Sequence, residues 1–311
     1  MPRQRSPSRN GHTAAAGAFA FVSLLSARAG AQACCAGAGA LTPGRLGLHE
    51  DALVGTQVHA ATVLGSFDDG GHYTGTSPGS NELDFEEDLF AALRVFRRGQ
   101  VALLVPFVET RRAETGITEL GGGIGDLNLS GRYDFFLAGQ SRVIPGVAVL
   151  AGVTAPTGTP PDKAHKPLAT DATGVGAWQA NGGVAVEQIY GPWLLNVTQL
   201  VAWRAPRSVD GVDEALAPQW VTLVGGAYSF RNETSIALFG SYTVEGHAVV
   251  NGSAAPFSSR NVALVTLSGA RPLSDSWRVQ GGVFMNPPLS GLGRNQTSTA
   301  GFTFTLIWSW S

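Results

Sequence analysis

Between residues 52 and 310, long and short connections follow one another in strict alternation, and few folds impose such a rule. Twelve segments with period-2 texture are bounded by turn residues: 52–66, 83–96, 100–111, 124–137, 142–156, 174–189, 193–204, 218–229, 234–249, 260–271, 277–286 and 300–310. Five connections are short (97–99, 138–141, 190–192, 230–233, 272–276). Six are long (67–82, 112–123, 157–173, 205–217, 250–259, 287–299). A transmembrane β-barrel has this asymmetry, with tight periplasmic turns and longer outer loops. An even strand count, with both ends of the run beside the short turns, completes the pattern. A soluble sandwich or propeller has no reason to keep it.

Residue parity along the segments agrees. In 124–136, Asp126, Asn128, Ser130, Arg132 and Asp134 share one face, and Leu127, Leu129, Tyr133 and Phe135 the other. In the last segment Phe302, Phe304, Leu306, Trp308 and Trp310 form one row, backed by Thr303, Thr305, Ile307 and Ser309. Bulky apolar side chains outside and small polar ones behind them suit a wall between lipid and water. Charged residues make up only 14% of the chain, against about 25% in soluble domains. Lys163 and Lys166 are its only lysines, and a net charge of −2 leaves no basic footprint for nucleic acid. The expected fold is therefore all-β: an up-and-down antiparallel transmembrane barrel of about 12 strands, with a lipid-facing exterior and a polar lumen.

The start of the chain reads as an address. Arg3, Arg5 and Arg9 precede the uncharged apolar run Thr13 to Ala27, and Ala31-Gln32-Ala33 offers a small-x-small cleavage site. This divides the chain into a signal peptide (1–33), a short periplasmic segment (34–50) and the barrel (51–311). Residues 34–50 are too few for a plug domain, so passive rather than energy-coupled passage is expected. The row ending at Trp310 is similar to the terminal signal by which the barrel assembly machinery recognises its clients, although Ser311 follows it. Localisation to the outer membrane of a Gram-negative bacterium follows, with outer-membrane lipid and that machinery as partners.

Residues 123–133 (GIGDLNLSGRY) and 152–158 (GVTAPTG) resemble the GxGDLxLxxxY strand and the lPTG element of an outer-membrane transporter family associated with the meta-pathway of phenol degradation. The likeness is clearest over about 120–205. The resemblance implies a barrel and the passage of small compounds, aromatic or hydrophobic ones among them.

Chemical motifs are sparse. Gly75-Thr76-Ser77-Pro78-Gly79 fits G-x-S-x-G, but the residue after the serine is Pro78, which has no N–H for an oxyanion hole. His59 points into the lumen by parity, and no local motif supplies the serine and orienting partner that a lipid-hydrolysing barrel needs. His72, His165 and His247 lack metal-ligand spacing. No enzymatic role and no cofactor are therefore expected. Cys34-Cys35 has three readings: a lipidated Cys34, a soft metal or redox pair, or an exported tail whose thiols oxidise.

The lumen charges carry the sharper expectation. By parity Asp84, Glu86, Asp88, Arg94, Asp126, Arg132, Asp134, Glu187, Arg204 and Arg278 face inward. They either set the selectivity of a porin-like passage for a small solute or pair across the interior and plug it. Twelve strands lie between the eight that side chains fill and the sixteen that leave a channel. A third role, a structural or adhesive barrel binding a partner through its long loops, stays open.

Overall fold

Strands in lipid need every backbone N–H and C=O paired, and closure alone removes the edges. The structure, a computed structural model, describes residues 45–114, 116–209 and 211–311; the expected signal peptide and Cys34-Cys35 lie outside them. The barrel strands are β1 (Ala52–Phe67), β2 (Asn81–Phe96), β3 (Gly99–Glu114), β4 in two pieces (Ile117–Ile124 and Leu127–Phe136), β5 (Gly146–Ala155) and β6 (Gln179–Tyr190). They continue with β7 (Trp193–Arg204), β8 (Gln219–Ser229), β9 (Ser235–Glu245), β10 (Arg260–Pro272), β11 (Trp277–Met285) and β12 (Gln296–Trp310). Each pairs antiparallel with the next. The seam between β1 and β12 closes the cylinder, from Ala52 opposite Trp310 to Phe67 opposite Gln296. The expected twelve-stranded up-and-down barrel is the observed one.

Several connections differ in extent from the sequence expectation, two of them for a visible reason. The supposed loop 112–123 is a continued hairpin: β3 runs to Glu114, which faces Ile117, and Gly116 turns the chain at φ +90°. Gly121-Gly122-Gly123 reads as loop by composition, yet here glycine permits close approach. A Cβ on Gly121 would lie 2.5 Å from Thr170, and one on Gly122 2.2 Å from the Val108 carbonyl. The supposed turn 138–141 extends to residue 145, because the Ser141 hydroxyl accepts the N–H groups of Val143 and Ile144 (3.1 Å each) and holds them off the sheet.

Parity decides the two faces. Phe302, Phe304, Trp308 and Trp310 are exposed on the outside, as expected, while Thr303, Thr305, Ile307 and Ser309 are buried inside. Outward aromatic rings form a girdle at the short-turn end: Tyr133 on Phe135 (5.0 Å), Trp193 on Tyr228 (4.8 Å) and Trp308 on Trp310 (5.0 Å). Trp203 and Trp220 mark the opposite rim. From Trp193 to Trp203, ten residues at ~3.3 Å on a strand tilted ~40° rise roughly 25 Å, the height of an outer-membrane apolar band.

One side chain breaks the apolar exterior. Glu87 sits in the outward row between Phe85 and Leu89, and its carboxylate accepts a hydrogen bond from the Thr56 hydroxyl (3.2 Å). A charge on the lipid face is destabilising. Glu87→Leu is expected to stabilise the barrel by about 1 kcal/mol, read from denaturant unfolding in lipid vesicles. A loss of stability would mean that the Thr56 contact outweighs the exposure to lipid.

Candidate functional site in the barrel lumen

The odd residues of β1 and the even residues of β2 and β3 point inward, and they build the lumen in layers. At the short-turn end Leu53, Phe90, Ala92 and Ile307 pack into an apolar floor together with Leu46. Gly55 makes room for Phe90, since a Cβ there would lie 2.5 Å from the ring. A second apolar cluster, Leu194, Leu223, Ala227, Ala237, Phe239 and Ala270, fills the facing wall.

Residues 45–50 lie in the mouth beneath this floor, and Glu187, Arg94 and Arg278 hold them there. Arg45 donates two hydrogen bonds to the Glu187 carboxylate (2.7 and 2.6 Å). Arg132 reaches Glu187 (3.1 Å) and Asp134 (2.8 Å), and Asn196 donates to Glu187 (3.1 Å). Arg94 donates to the backbone carbonyls of Glu50 (2.9 Å) and Gly47 (2.5 Å), and Arg278 pairs with the Glu50 carboxylate. Glu187 is almost wholly buried, so these are pairs in a region of low dielectric, where each partner depends on the other.

Other expected lumen charges also have partners. Arg204 pairs with Glu245 (2.9 Å), which Arg260 also meets (2.8 Å). Asp126 accepts the N–H groups of Gly158 (2.9 Å) and Val175 (2.7 Å), so it anchors the loop 156–178. On the same loop the Asp171 carboxylate accepts N–H bonds from His165 (2.8 Å) and Lys166 (3.2 Å), which hold it below the usual carboxylate range. His165 and, by a similar arrangement with Asp68, His72 are thus loop-ordering residues.

The remaining three, Asp84, Glu86 and Asp88, line one wall above the floor with His59. The His59 Nε2 lies 3.3 Å from Asp88 Oδ2, and the Thr110 hydroxyl donates to Asp84 (2.9 Å). His59 keeps 26% of its side chain exposed. Beside it a cleft of about 230 Å³ opens, bounded by Ala61, Asp84, Glu86, Val108 and Phe284.

Of the ten charges that parity names, Arg132 meets Asp134 and Glu187, whereas Arg45, Glu50, Glu82 and Glu245 are not among them. Glu82, which pairs with Arg112 (2.6 Å), lies one residue before the expected start of its strand. Glu245 shares the inward parity of β9 and was legible on that ground. Arg45 and Glu50 precede the first strand, where no periodicity marks them.

A closed twelve-stranded cylinder, apolar without and charged within, is an outer-membrane β-barrel, and the outer membrane is its location. No protein-family model matches the chain, and no curated protein matches it in sequence. Among solved structures it is similar in fold to an outer membrane channel from Pseudomonas putida F1, at 14% identity and a TM-score of 0.68, covering 84% of this chain and 96% of that one. A deletion mutant of the monoaromatic hydrocarbon channel TodX matches more loosely, at 8% identity and a TM-score of 0.41 over 84% and 90% of the two chains. So does OmpT, an outer membrane protein of Vibrio cholerae, at 13% identity and a TM-score of 0.35 over 83% and 96%. The expectation of no enzymatic role is withdrawn. His59 has in Asp88, 3.3 Å away, the orienting carboxylate that the sequence did not reveal.

Proposed function

We propose that the chain is a narrow outer-membrane channel through which small solutes diffuse passively. The observation that carries this reading is the open cleft of about 230 Å³ above the floor, beside His59, Asp84 and Glu86, in an interior that a purely structural barrel would fill with side chains. The apolar floor and residues 45–50 form the constriction on the periplasmic side. The resemblance of residues 123–133 and 152–158 to the phenol-pathway transporters supports aromatic or hydrophobic solutes. The fold shared with the Pseudomonas putida F1 channel agrees with passage. Residues 1–33 direct export, and the row from Phe302 to Trp310 presents the chain to the assembly machinery. The test is planar-bilayer recording of the protein refolded from detergent. Discrete conductance steps are expected, and their absence at high protein load would overturn the reading.

A further inference from the structure

The lumen charges are unevenly compensated. Among the described residues, the inward arginines of the wall and mouth meet carboxylates: Arg45 and Arg132 at Glu187, Arg204 and Arg260 at Glu245, Arg278 at Glu50, Arg94 near Asp51 and Arg112 at Glu82. Asp84, Glu86 and Asp88 are the inward carboxylates of β2 with no arginine or lysine at ion-pair distance. Their partners are the Thr110 hydroxyl and His59, and Glu86 abuts both Asp88 and His59. These carboxylates therefore lack the guanidinium partner that Glu187, Glu82 and Glu245 have.

Strand register shows how this wall is built. In the lowest polar layer, just above Phe90 and Ile307, Asp88, Gln57, Thr305 and Gln280 lie side by side across β2, β1, β12 and β11. Asp88 is 4% exposed and Gln57 and Thr305 1%. Two buried oxygens in this layer, Asp88 Oδ1 and Thr305 Oγ1, have no hydrogen-bond partner. Such groups are costly when left empty-handed. In the next layer come Glu86, His59 and Thr303, and above them Asp84, Ala61 and Phe284, whose ring lies 6.4 Å edge-on to His59.

We infer that this wall is a binding subsite for a small organic cation: an ammonium group held by Glu86 and Asp84, which line the cleft, with an apolar body against Phe284, Ala61 and Val108. The inference rests on the channel reading above and names a solute class for it. Carboxylates on alternate residues of a strand are spaced roughly 6–7 Å apart along it, too widely for all three to ligate one metal ion at 2.0–2.6 Å. Among the described residues no His/Cys/Asp/Glu group is arranged to hold one. An ammonium carries three N–H donors that fit several acceptors at once. The apolar side of the cleft has no use for a bare ion, whereas it matches a hydrocarbon or aromatic body.

The experiment is titration calorimetry of the full refolded barrel in detergent with benzylamine, its neutral analogue benzyl alcohol, and potassium chloride. Benzylamine is expected to bind at least tenfold more tightly than benzyl alcohol, and Glu86→Gln and Asp84→Asn to weaken it at least tenfold. Asp84→Asn, at a more exposed position bonded only to Thr110, gives a variant that folds should Glu86→Gln fail. Equal affinity for the alcohol, binding of potassium alone, or benzylamine binding unchanged in a folded variant would overturn the subsite. Bilayer recording separates the two readings: benzylamine binding without conductance steps defeats passage, whereas steps without binding defeat the subsite.

Discussion

Glu187→Ala is expected to lower the unfolding free energy of the barrel by about 3–5 kcal/mol, the range for removing one member of a buried ion pair. Glu187 stands between Arg45 and Arg132 and accepts from Asn196 as well. Without it two guanidinium groups face each other in a space almost closed to water, with Asp134 left to answer only Arg132. A further Arg45→Ala substitution removes one stranded charge and should restore part of the loss, so the double variant should be less than additive. The check is the denaturant midpoint in detergent, followed by the heat-dependent gel mobility of folded barrels. A change under 1 kcal/mol would show that water reaches this site and that the pairs are exposed ones.

Deleting residues 45–49 should raise single-channel conductance several-fold while leaving the twelve strands intact. A constriction controls flow through a narrow pore, and these residues occupy the periplasmic mouth through Leu46, the Gly47 carbonyl and the Arg45 pair. Arg94 loses the Gly47 carbonyl and Glu187 loses Arg45 in the deletion, while each keeps its other partners, so a modest loss of stability accompanies the gain in current. The comparison that matters is between the deletion and Leu46→Ala, which trims the plug without unpairing any charge. Unchanged conductance in the deletion would mean that the floor of Leu53, Phe90 and Ile307, rather than the segment, limits passage.

The fold was legible because it is written in short-range rules. The row Phe302 to Trp310 and its backing Thr303, Thr305, Ile307 and Ser309 needed only period two, and the structure places them outside and inside as expected. What failed was composition standing in for geometry: Gly121 to Gly123 belong to a strand because Thr170 and the Val108 carbonyl press on them from other parts of the chain. The candidate site was half legible for a similar reason. Parity tells which residues of β2 face inward, and it named Asp84, Glu86 and Asp88. It does not tell that Glu187, from a distant strand, meets Arg45 from ahead of the barrel, nor that Asp88 stands beside His59. Such pairings depend on register between strands far apart in sequence, and one sequence carries no direct signal for them.

The hairpin of β3 and the first part of β4 has a practical consequence. Beyond Phe107 its outward residues turn polar at Glu109 and Arg111, so the ladder up to Glu114 and Ile117 stands clear of the lipid by about 15 Å. Nothing in the structure comes within 4 Å of a Cβ added at Gly116. The end of the ladder at Gly116 is thus a handle on the cell exterior, where an inserted epitope or fluorophore would report surface display without touching the interior.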